Sequence, residues 1–531
     1  MLPDHWHRNI FLFGLIGLAA GMLFGTVPTS IPQIIIAGNW LLEGNFRYKF
    51  LQLKSNKIFW ILSSLFILHV IGMLYTQDMQ HGFDDLRNKL PLLTLPLLVF
   101  STKPLSQKEF RLLFGFFFLS VLASSICCYA VYAGYTKKII IDVRKASVFM
   151  SHIRFSLFIA FSVIGIVYFY FKEKNKGVKA LCILTSFWLM FFMFKLEMAT
   201  GFFFLLLVAP FLIVDYSIKK LSKKITISLI VTLVSFGVFT SYKAFKDLSM
   251  FDKSVNNKAN QLLVKTKNGR NYFQDTLYKI AENGTLILIN VNIEELNKEW
   301  GLKSHIPLNR PDKKGNQLYY TLLRYMASKG LTKDSAGIAS FSKEDIVRVE
   351  NGIPNYKYNN NSGLISKWRE VVWEYSKYKL GENPSGHTLT MRLEFWKTAC
   401  YIIYKRPVFG VGTGDIQKSY DSMYKHTNSK LDPVWRLRCH NQYLAITVAF
   451  GFVGLIIFLF YLFYPAILLR KKLHYLYWPF FLIALLSFVT EDTLETQSGV
   501  TFFIYFQTLF LWVASFHSLS EYKTILNSPK I

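Results

Sequence analysis

An arginine and a histidine on either side of a glycine-rich stretch are the residues best suited to chemistry in this sequence. Arg392 stands in MRLEFWKTACYIIYKRPVFGVGTGD, and His440 stands in RLRCHNQYL at the start of an apolar segment. A guanidinium group binds phosphate oxygens through paired hydrogen bonds. An imidazole at a membrane–water boundary can titrate near neutral pH and act as a general base for a hydroxyl. The alternative for His440 alone is an interfacial histidine hydrated by water.

Three further arginines are candidates for binding an anion. Arg436 and Arg438 lie beside His440 and add two guanidinium groups to the same short stretch. Arg154 lies near one end of the apolar segment 149–171. Because a charge inside a membrane span is costly, it usually faces a cavity, and this favours a functional role. The alternative is that the Arg154 side chain extends to the membrane surface.

A helix is predicted around Arg392, and Pro407 ends it. Spacings of three and four residues place on one face of this helix Arg392, Phe395, Trp396, Ala399 and Ile403.

Alternate glycines follow this helix at Gly410, Gly412 and Gly414. Glycine permits positive φ angles, and successive backbone N–H groups can then surround an anion. The stretch lacks the Gly-Lys-Ser/Thr ending of a nucleotide-binding P-loop, and its spacing differs from the dinucleotide fingerprint. It is therefore a candidate substrate-binding loop, with a tight turn at the membrane surface as the alternative.

An acidic stretch, EDTLETQ, begins at Glu491 between the last two apolar segments. It can pair with the arginines or bind acceptor hydroxyls, and a solvated loop is the alternative. The five cysteines are too few for a disulfide framework in a chain of 531 residues, and their spacing does not resemble a zinc site. A disulfide between Cys400 and Cys439 stays open. No metal site and no cofactor site is predicted.

Apolar segments long enough to cross a membrane must position these residues, because 52% of the chain is hydrophobic and 17% aromatic. We predict about twelve transmembrane helices, of which the short second and fourth are the least regular. The predicted spans are residues 10–27, 29–43, 58–75, 90–101, 110–133, 149–171, 178–195, 200–215, 225–241, 443–467, 475–490 and 499–517.

The net charge of +28 first suggests nucleic acid, but most basic residues outside one long loop lie in short tracts between apolar segments. Such tracts face the cytoplasm, where they contact anionic lipid. With twelve spans, both termini are cytoplasmic and the long polar segment 242–442 is extracytoplasmic. The basic loop 134–148 falls on the opposite side from the others, either to hold an anionic ligand or because the charge rule is only statistical.

The expected architecture is an all-α polytopic membrane protein with one large, mainly helical extracytoplasmic loop domain. We predict an N-terminal transmembrane bundle at 1–241, the loop domain at 242–442 and C-terminal transmembrane helices at 443–531. Within the loop domain, apolar spacing and capping residues predict helices. The predicted helices are 275–282, 318–329, 342–351 and 366–379, and a short strand is predicted at 285–291.

Taken together, these motifs resemble the O-antigen ligase family, which also contains O-antigen polymerases. The similar elements are Arg392-x-x-x-Trp396, Pro407-x-x-Gly410-x-Gly412-x-Gly414, His440-Asn441-x-Tyr443-Leu444 and Gly451-x-x-Gly454. Their order across the end of a large loop and the start of the next span is also similar. The stretches 319–335 and 491–499 look like members of this family from Bacteroidetes-type bacteria.

The resemblance implies a GT-C-like helical fold in the bacterial inner membrane, with the large loop in the periplasm. It implies transfer of a glycan from undecaprenyl pyrophosphate to a sugar hydroxyl such as that of lipid A–core, without a metal ion and with inversion at the anomeric carbon. Arg392 would stabilise the pyrophosphate, and His440 would meet the acceptor. The residues then expected to bind substrate are Arg154, Arg436, Arg438, Trp396, Gly410, Gly412, Gly414, Asn441 and Glu491.

One departure concerns a Ser-Arg-x-Gly element that the family commonly has at the start of the span matching 200–215. Here the chain reads Met198-Ala199-Thr200-Gly201 without an arginine. Lys195, Arg154 or Arg438 are the candidates to supply the missing charge. An O-antigen polymerase with the same donor is the main alternative function. A transporter for an anionic lipid or solute is more distant, because the spans show few charges and no repeat.

Overall fold

The computed structural model describes residues 3–136, 143–249, 260–358 and 364–526, and helices dominate these residues. In the N-terminal half they are α1 Asp4–Gly21, α2 Thr26–Glu43, α3 Phe46–Ser55, α4 Lys57–Gly72, α5 Met79–Lys89, α6 Pro91–Phe100, α7 Gln107–Tyr132, α8 His152–Lys172, α9 Lys176–Lys195, α10 Ala199–Lys220 and α11 Lys223–Ser249. The remaining helices are α12 Ile293–Lys303, α13 Leu318–Ser328, α14 Ser335–Ala339, α15 Lys343–Glu350, α16 Leu364–Lys379, α17 Thr388–Lys405, α18 Ile416–His426, α19 Gln442–Leu468, α20 Tyr477–Thr490 and α21 Gln497–Leu526. Strands β1 Ala281–Glu282 and β2 Thr285–Leu286 form one antiparallel pair. The all-α architecture is confirmed for the described part of the chain.

Eight of the described helices are long and apolar enough to cross a membrane, and every predicted span coincides with a helix. The eight are Lys57–Tyr75, Gln107–Tyr132, His152–Lys172, Lys176–Lys195, Ala199–Ile218, Lys223–Tyr242, Gln442–Leu468 and Gln497–Ser515. The other four predicted spans correspond to α1, α2, α6 and α20. Of these, α6 has 10 residues and α20 has 14. The count of twelve therefore stays a prediction.

The chain divides into two compact units whose boundaries differ from the predicted domains. The first unit contains residues 1–226, 394–429 and 436–531, and the second contains 227–393 and 430–435. Residues 394–429 and 436–442, predicted in the loop domain, thus pack with the membrane helices. The reason lies in the contacts that the glycine-rich stretch and the His440 segment make with those helices, described below.

Phenylalanines form the core of the first unit where α7, α8, α20 and α21 meet. Phe117, Phe161, Phe480 and Phe506 are fully buried. Their rings lie 5.0–6.1 Å apart, in the tilted and edge-to-face arrangements that aromatic pairs prefer. By contrast, α9 leaves large apolar side chains such as Phe187 and Phe194 exposed, as expected for a surface that faces lipid.

The second unit has its own core around α12, α13 and α15, in which Trp300, Leu322 and Tyr325 are fully buried. The predicted helices at 318–329, 342–351 and 366–379 are confirmed as α13, α15 and α16. Ser342 caps α15 in a capping box with Asp345, as expected. The predicted strand at 285–291 is confirmed only for its first two residues.

The helix predicted at 275–282 is wrong. Residues 275–280 are irregular, and the segment ends in β1. The Asp275 carboxylate accepts hydrogen bonds from the backbone N–H groups of Leu277 and Tyr278, which competes with helix formation. Glu282 is then fully buried, where it pairs with Arg324. This long-range pair outweighs the local helical spacing.

Candidate functional site

His440 lies beside two carboxylates of the acidic stretch that begins at Glu491. Its Nδ1 is 3.3 Å from Asp492 Oδ1 and 3.9 Å from Glu491 Oε2. The Glu491 and Asp492 side chains are 8% and 11% exposed, whereas a third of the imidazole is exposed. The His440 backbone has a φ of 45°, and its ring packs 5.8 Å from that of Phe395 on α17. This arrangement fixes the ring and directs Nδ1 to the carboxylates.

Polar residues at the start of α19 hold the acidic stretch in place. Asn441 caps α19 by accepting from the N–H of Leu444, and it donates to the Val489 carbonyl. The Gln442 amide donates to Glu495 Oε1 and accepts from the N–H of Leu494. Since Asn441 and Gln442 are buried, these bonds are made away from water. Asn441, which belongs to the His440 motif, therefore holds the end of α20 against the start of α19.

A buried lysine on α5 binds the acidic stretch through Glu495. Lys89 is 1% exposed, and its Nζ lies 2.5 Å from Asp85 Oδ1 and 2.8 Å from Glu495 Oε2. Arg438 Nη1 approaches the same Glu495 oxygen at 3.8 Å, and Arg438 Nε donates to Gln417 Oε1 at 3.1 Å. Two cations and two carboxylates are thus joined in one network.

Lys89 and Glu495 both keep their charges at neutral pH. Burial lowers the pKa of Lys89, but the Asp85 and Glu495 carboxylates outweigh this effect and raise its pKa above that of an ordinary lysine. Burial raises the pKa of Glu495, but Lys89 and Arg438 outweigh it and hold its pKa well below its ordinary value. The Lys89–Glu495 contact is therefore an ion pair.

Helix α17 supports the His440 segment through the side chains that the motif predicts on one face. Phe395 and Ala399 are buried, and the Trp396 indole N–H donates to the Cys439 carbonyl at 2.9 Å. The predicted helical face is confirmed. The predicted end of the helix is also confirmed, because α17 stops at Lys405, two residues before Pro407. Trp396 thus contacts the backbone next to His440.

The remaining arginines lie in different environments. Arg436 Nη2 donates to the Ser429 carbonyl at 3.5 Å. Arg392 lies in the first turns of α17 and belongs by its contacts to the second compact unit, so its pairing with His440 stays a prediction. Arg154 lies in the first turn of α8, and its Nε is buried without a hydrogen-bond partner among the described residues. A buried, unpartnered guanidinium N–H is a candidate for binding an anionic ligand.

The stretch that lacks the family arginine packs against the turn of α8 that carries Arg154. A Cβ placed on Gly201 would lie 3.0 Å from the Ser156 Cβ and 3.1 Å from the Ser156 carbonyl oxygen. The start of α10 therefore comes close to the start of α8. Of the candidates to replace the missing charge, Arg154 has this contact in its favour.

The glycines after α17 allow close packing of backbone on backbone. Gly410 has a φ of 66°, and a Cβ there would lie 2.4 Å from the Ala449 carbonyl carbon. The N–H groups of Val411 and Gly412 donate to the carbonyls of Val448 and Ala449 on α19. These two N–H groups are therefore occupied by α19, and the structure supports a packing role for the stretch. Substrate binding by Gly410, Gly412 and Gly414 stays a prediction.

All five cysteines are free thiols. Cys439 is fully buried, and burial raises the pKa of its thiol to about 12, whereas Cys400 is exposed on α17. The disulfide left open between them is not formed, and the buried Cys439 thiol instead donates to the Asn441 carbonyl at 3.2 Å. Cys439 is therefore a packing residue rather than a nucleophile.

The donor atoms of His440, Glu491 and Asp492 lie within 4.8 Å of one another. One nitrogen and two carboxylate oxygens are ligand types that divalent cations accept. The same three groups also suit a general base oriented by carboxylates. The geometry supports both chemistries, and the assay proposed below separates them.

Several residues of the network could not be found from the motifs. The helices α5 and α18, which carry Lys89, Asp85 and Gln417, contain none of the family motifs. The sequence indicates Asp492 only as one residue of an acidic stretch. Asp85 and Lys89 have the i, i+4 spacing of an ion pair on a helix. That spacing predicts a surface pair, however, and not a buried one.

A comparison with family models finds that residues 352–459 match the model described as O-Antigen ligase. The match includes Arg392, Trp396, the glycine-rich stretch and His440, whereas Arg154, Lys89 and Glu491 lie outside it. No curated protein matches the chain. The membrane-crossing helices agree with a multi-pass membrane protein, and the match supports glycan transfer of the ligase or polymerase type. The resemblance to the O-antigen ligase family is thereby confirmed, carried by residues 352–459 of this chain.

Proposed function

We propose that the protein transfers a glycan from undecaprenyl pyrophosphate to an acceptor sugar hydroxyl, such as one on lipid A–core, at the periplasmic face of the inner membrane. The observation that carries this proposal is the contact between His440 Nδ1 and the buried Asp492 carboxylate, which lie 3.3 Å apart. A histidine that donates from Nδ1 to a carboxylate presents Nε2 as a base.

The reaction requires one bond exchange at the anomeric carbon. The acceptor oxygen forms a bond to C1 as the bond from C1 to the pyrophosphate oxygen breaks, with inversion at C1. The acceptor proton passes to His440 Nε2, and undecaprenyl pyrophosphate leaves with the bonding electron pair. Because pyrophosphate is a good leaving group, catalysis depends mainly on charge stabilisation and positioning.

Guanidinium groups stabilise the charge that develops on the leaving pyrophosphate. Arg392 takes this role in our assignment, and Arg154 and Arg438 assist. The unpartnered, buried Nε of Arg154 supports its share, as does the close approach of α8 to the stretch lacking the family arginine. Arg436, Trp396, Asn441 and Glu491 line or support the same site in this proposal. No cofactor takes part.

Transfer is measured with purified protein in vesicles, using an undecaprenyl-pyrophosphate-linked glycan and lipid A–core, in buffer containing EDTA. We expect the wild type to transfer glycan, and His440→Ala and Arg392→Ala to lower kcat by about 10²–10³-fold, because each removes a group that acts in the transition state. Full activity of both variants would remove the catalytic assignment. Loss of wild-type activity in EDTA, restored by a divalent cation, would replace the base at His440 by a metal site.

The acceptor decides between ligase and polymerase. In a deletion strain, loss of all glycan from lipid A–core indicates a ligase, whereas a lipid A–core carrying a single repeat unit indicates a polymerase. Complementation with the two alanine variants, at wild-type protein levels, links the phenotype to the site.

A further inference from the structure

The Glu495 carboxylate lies between two cations that compete for it. Its Oε1 accepts from the Gln442 amide at 3.0 Å, so one oxygen is already engaged. Its Oε2 lies 2.8 Å from Lys89 Nζ and 3.8 Å from Arg438 Nη1. Lys89 is therefore the hydrogen-bonded partner of Oε2, and the Arg438 guanidinium is 1.0 Å further from this oxygen.

Lys89 itself cannot reach a substrate, because only 1% of its surface is exposed. Its second partner, Asp85, also depends on it. Asp85 Oδ1 lies 2.5 Å from Lys89 Nζ, and its buried Oδ2 has no hydrogen-bond partner among the described residues. A buried carboxylate without a counter-charge is costly. One buried ammonium thus compensates two carboxylates.

We propose that Lys89 is a positioning residue that keeps Arg438 available to an anionic substrate by neutralising Glu495. The inference rests on the proposed function and extends it to the pyrophosphate end of the donor. If the Lys89 charge is removed, the nearest remaining cation for Glu495 among the residues that the structure describes is the Arg438 guanidinium. Arg438 then pairs with Glu495, and its capacity to bind phosphate oxygens is lost.

Two double variants with the same formal charge balance test this inference. Lys89→Met/Glu495→Gln removes the carboxylate that would capture Arg438. Lys89→Met/Asp85→Asn removes the other carboxylate and leaves Glu495 facing Arg438. A purely structural role of Lys89 predicts equal behaviour for both, because each removes one positive and one negative charge. The proposed role predicts that only the Asp85 variant binds the donor poorly.

The measurement is the Kd for undecaprenyl pyrophosphate, determined with full-length protein in nanodiscs, with the Tm of each variant as a check on folding. We expect Lys89→Met and Lys89→Met/Asp85→Asn to raise this Kd about tenfold, as for the loss of one charged hydrogen bond. Lys89→Met/Glu495→Gln and Lys89→Arg should stay within about threefold of the wild type. Because both double variants are charge-balanced, the comparison stands even if Lys89→Met alone does not fold.

Equal Kd values for the two double variants would overturn the role of Lys89, as would an unchanged Kd for a folded Lys89→Met. The wild type separates this result from a failure of the proposed function. If the wild type does not bind undecaprenyl pyrophosphate, the donor assignment fails. If it binds and transfers while the double variants agree, only the role of Lys89 is wrong.

Discussion

The His440 side chain is held from two sides, by the Phe395 ring and by the Asp492 carboxylate. A left-handed backbone at a histidine costs conformational energy, which packing and hydrogen bonds must offset. The contact of Nδ1 with Asp492 Oδ1, at 3.3 Å, favours the tautomer that carries its proton on Nδ1. At the scale of single residues, the site is therefore built around the orientation of one ring.

Replacement of Asp492 by asparagine should separate orientation from substrate binding. The amide is similar in size but can present an N–H to Nδ1, which favours the wrong tautomer. We expect kcat for glycan transfer to fall at least about tenfold while the donor KM changes little. Steady-state kinetics in vesicles measure both parameters.

The matched control for this variant is Asp84→Asn on α5. The Asp84 side chain is 57% exposed and pairs with Arg87 instead of His440. Its kcat should equal that of the wild type. A rise in the donor KM of Asp492→Asn with kcat unchanged would show that this carboxylate binds substrate rather than orienting the imidazole.

At the scale of elements, the site depends on how the glycine-rich stretch meets a kink in α19. Gly451 has a φ of 64° and interrupts α19, and a Cβ on it would lie 2.2 Å from the Val408 carbonyl oxygen. The N–H groups of Phe452 and Val453, near the kink, donate to the carbonyls of Pro407 and Val408. The kink thus exchanges bonds within one helix for bonds to the segment that follows α17, which places α17 beside the His440 segment.

Replacement of Gly410 by alanine should therefore destabilise the first compact unit. The Cβ would collide with the Ala449 backbone, and the positive φ is unfavourable for alanine. We expect the free energy of unfolding to fall by about 1–3 kcal/mol, seen as a lower Tm in detergent.

Gly38→Ala on α2 is the control for this change, because a Cβ on Gly38 meets no atom within 4 Å and alanine favours a helix. Its Tm should not fall. Equal Tm values for Gly410→Ala and the wild type would contradict the close packing of this stretch on α19.

At the scale of the whole molecule, the two compact units have cores of different kinds. Aromatic rings dominate the core of the first unit, and the core of the second unit combines apolar side chains with several buried polar groups. Lys333 is one of these, 1% exposed, with its Nζ donating to the Leu286 carbonyl at 2.8 Å. Burial lowers the pKa of Lys333 to about 7. The stability of the second unit should therefore depend on pH.

The sign follows from the protons bound in each state. Between about pH 7 and the pKa of 10.5 of an unperturbed lysine, the unfolded chain holds a proton on Lys333 that the folded chain has lost. Stability should therefore rise with pH by up to about 1.4 kcal/mol per pH unit in this window. Below pH 7 both states are protonated, and this contribution becomes constant.

Hydrogen exchange of the α13 segment in the full-length protein, at pH 7 and pH 9, measures this effect. Lys333→Met should remove the increase in protection between the two pH values after correction for intrinsic exchange. The exposed Lys343→Met on α15 is the control and should keep it. The same pH dependence in both variants would show that Lys333 is not responsible.

Much of the architecture followed from local sequence. Runs of apolar residues placed every membrane-length helix to within a few residues, because crossing a hydrocarbon core requires length and hydrophobicity that few other elements share. The spacing of Phe395, Trp396 and Ala399 identified the buried face of α17, and the motifs around Arg392 and His440 indicated the resemblance to the O-antigen ligase family. The helix predicted at 275–282 was wrong because Asp275 binds nearby backbone N–H groups and Glu282 pairs with the distant Arg324.

The polar network around Lys89 and Glu495 could be found only in the tertiary structure. Lys89 and Glu495 are separated by 406 positions, and no local pattern indicates that two such charges meet in a buried place. The same holds for Asp492, whose role arises only when Asn441 and Gln442 bind the acidic stretch. By itself the sequence determined most of the helices, the family resemblance of residues 352–459 and the candidate arginines and histidine. Tertiary packing decided which charges neutralise one another, because burial and distance, not residue type, set the strength of an ion pair.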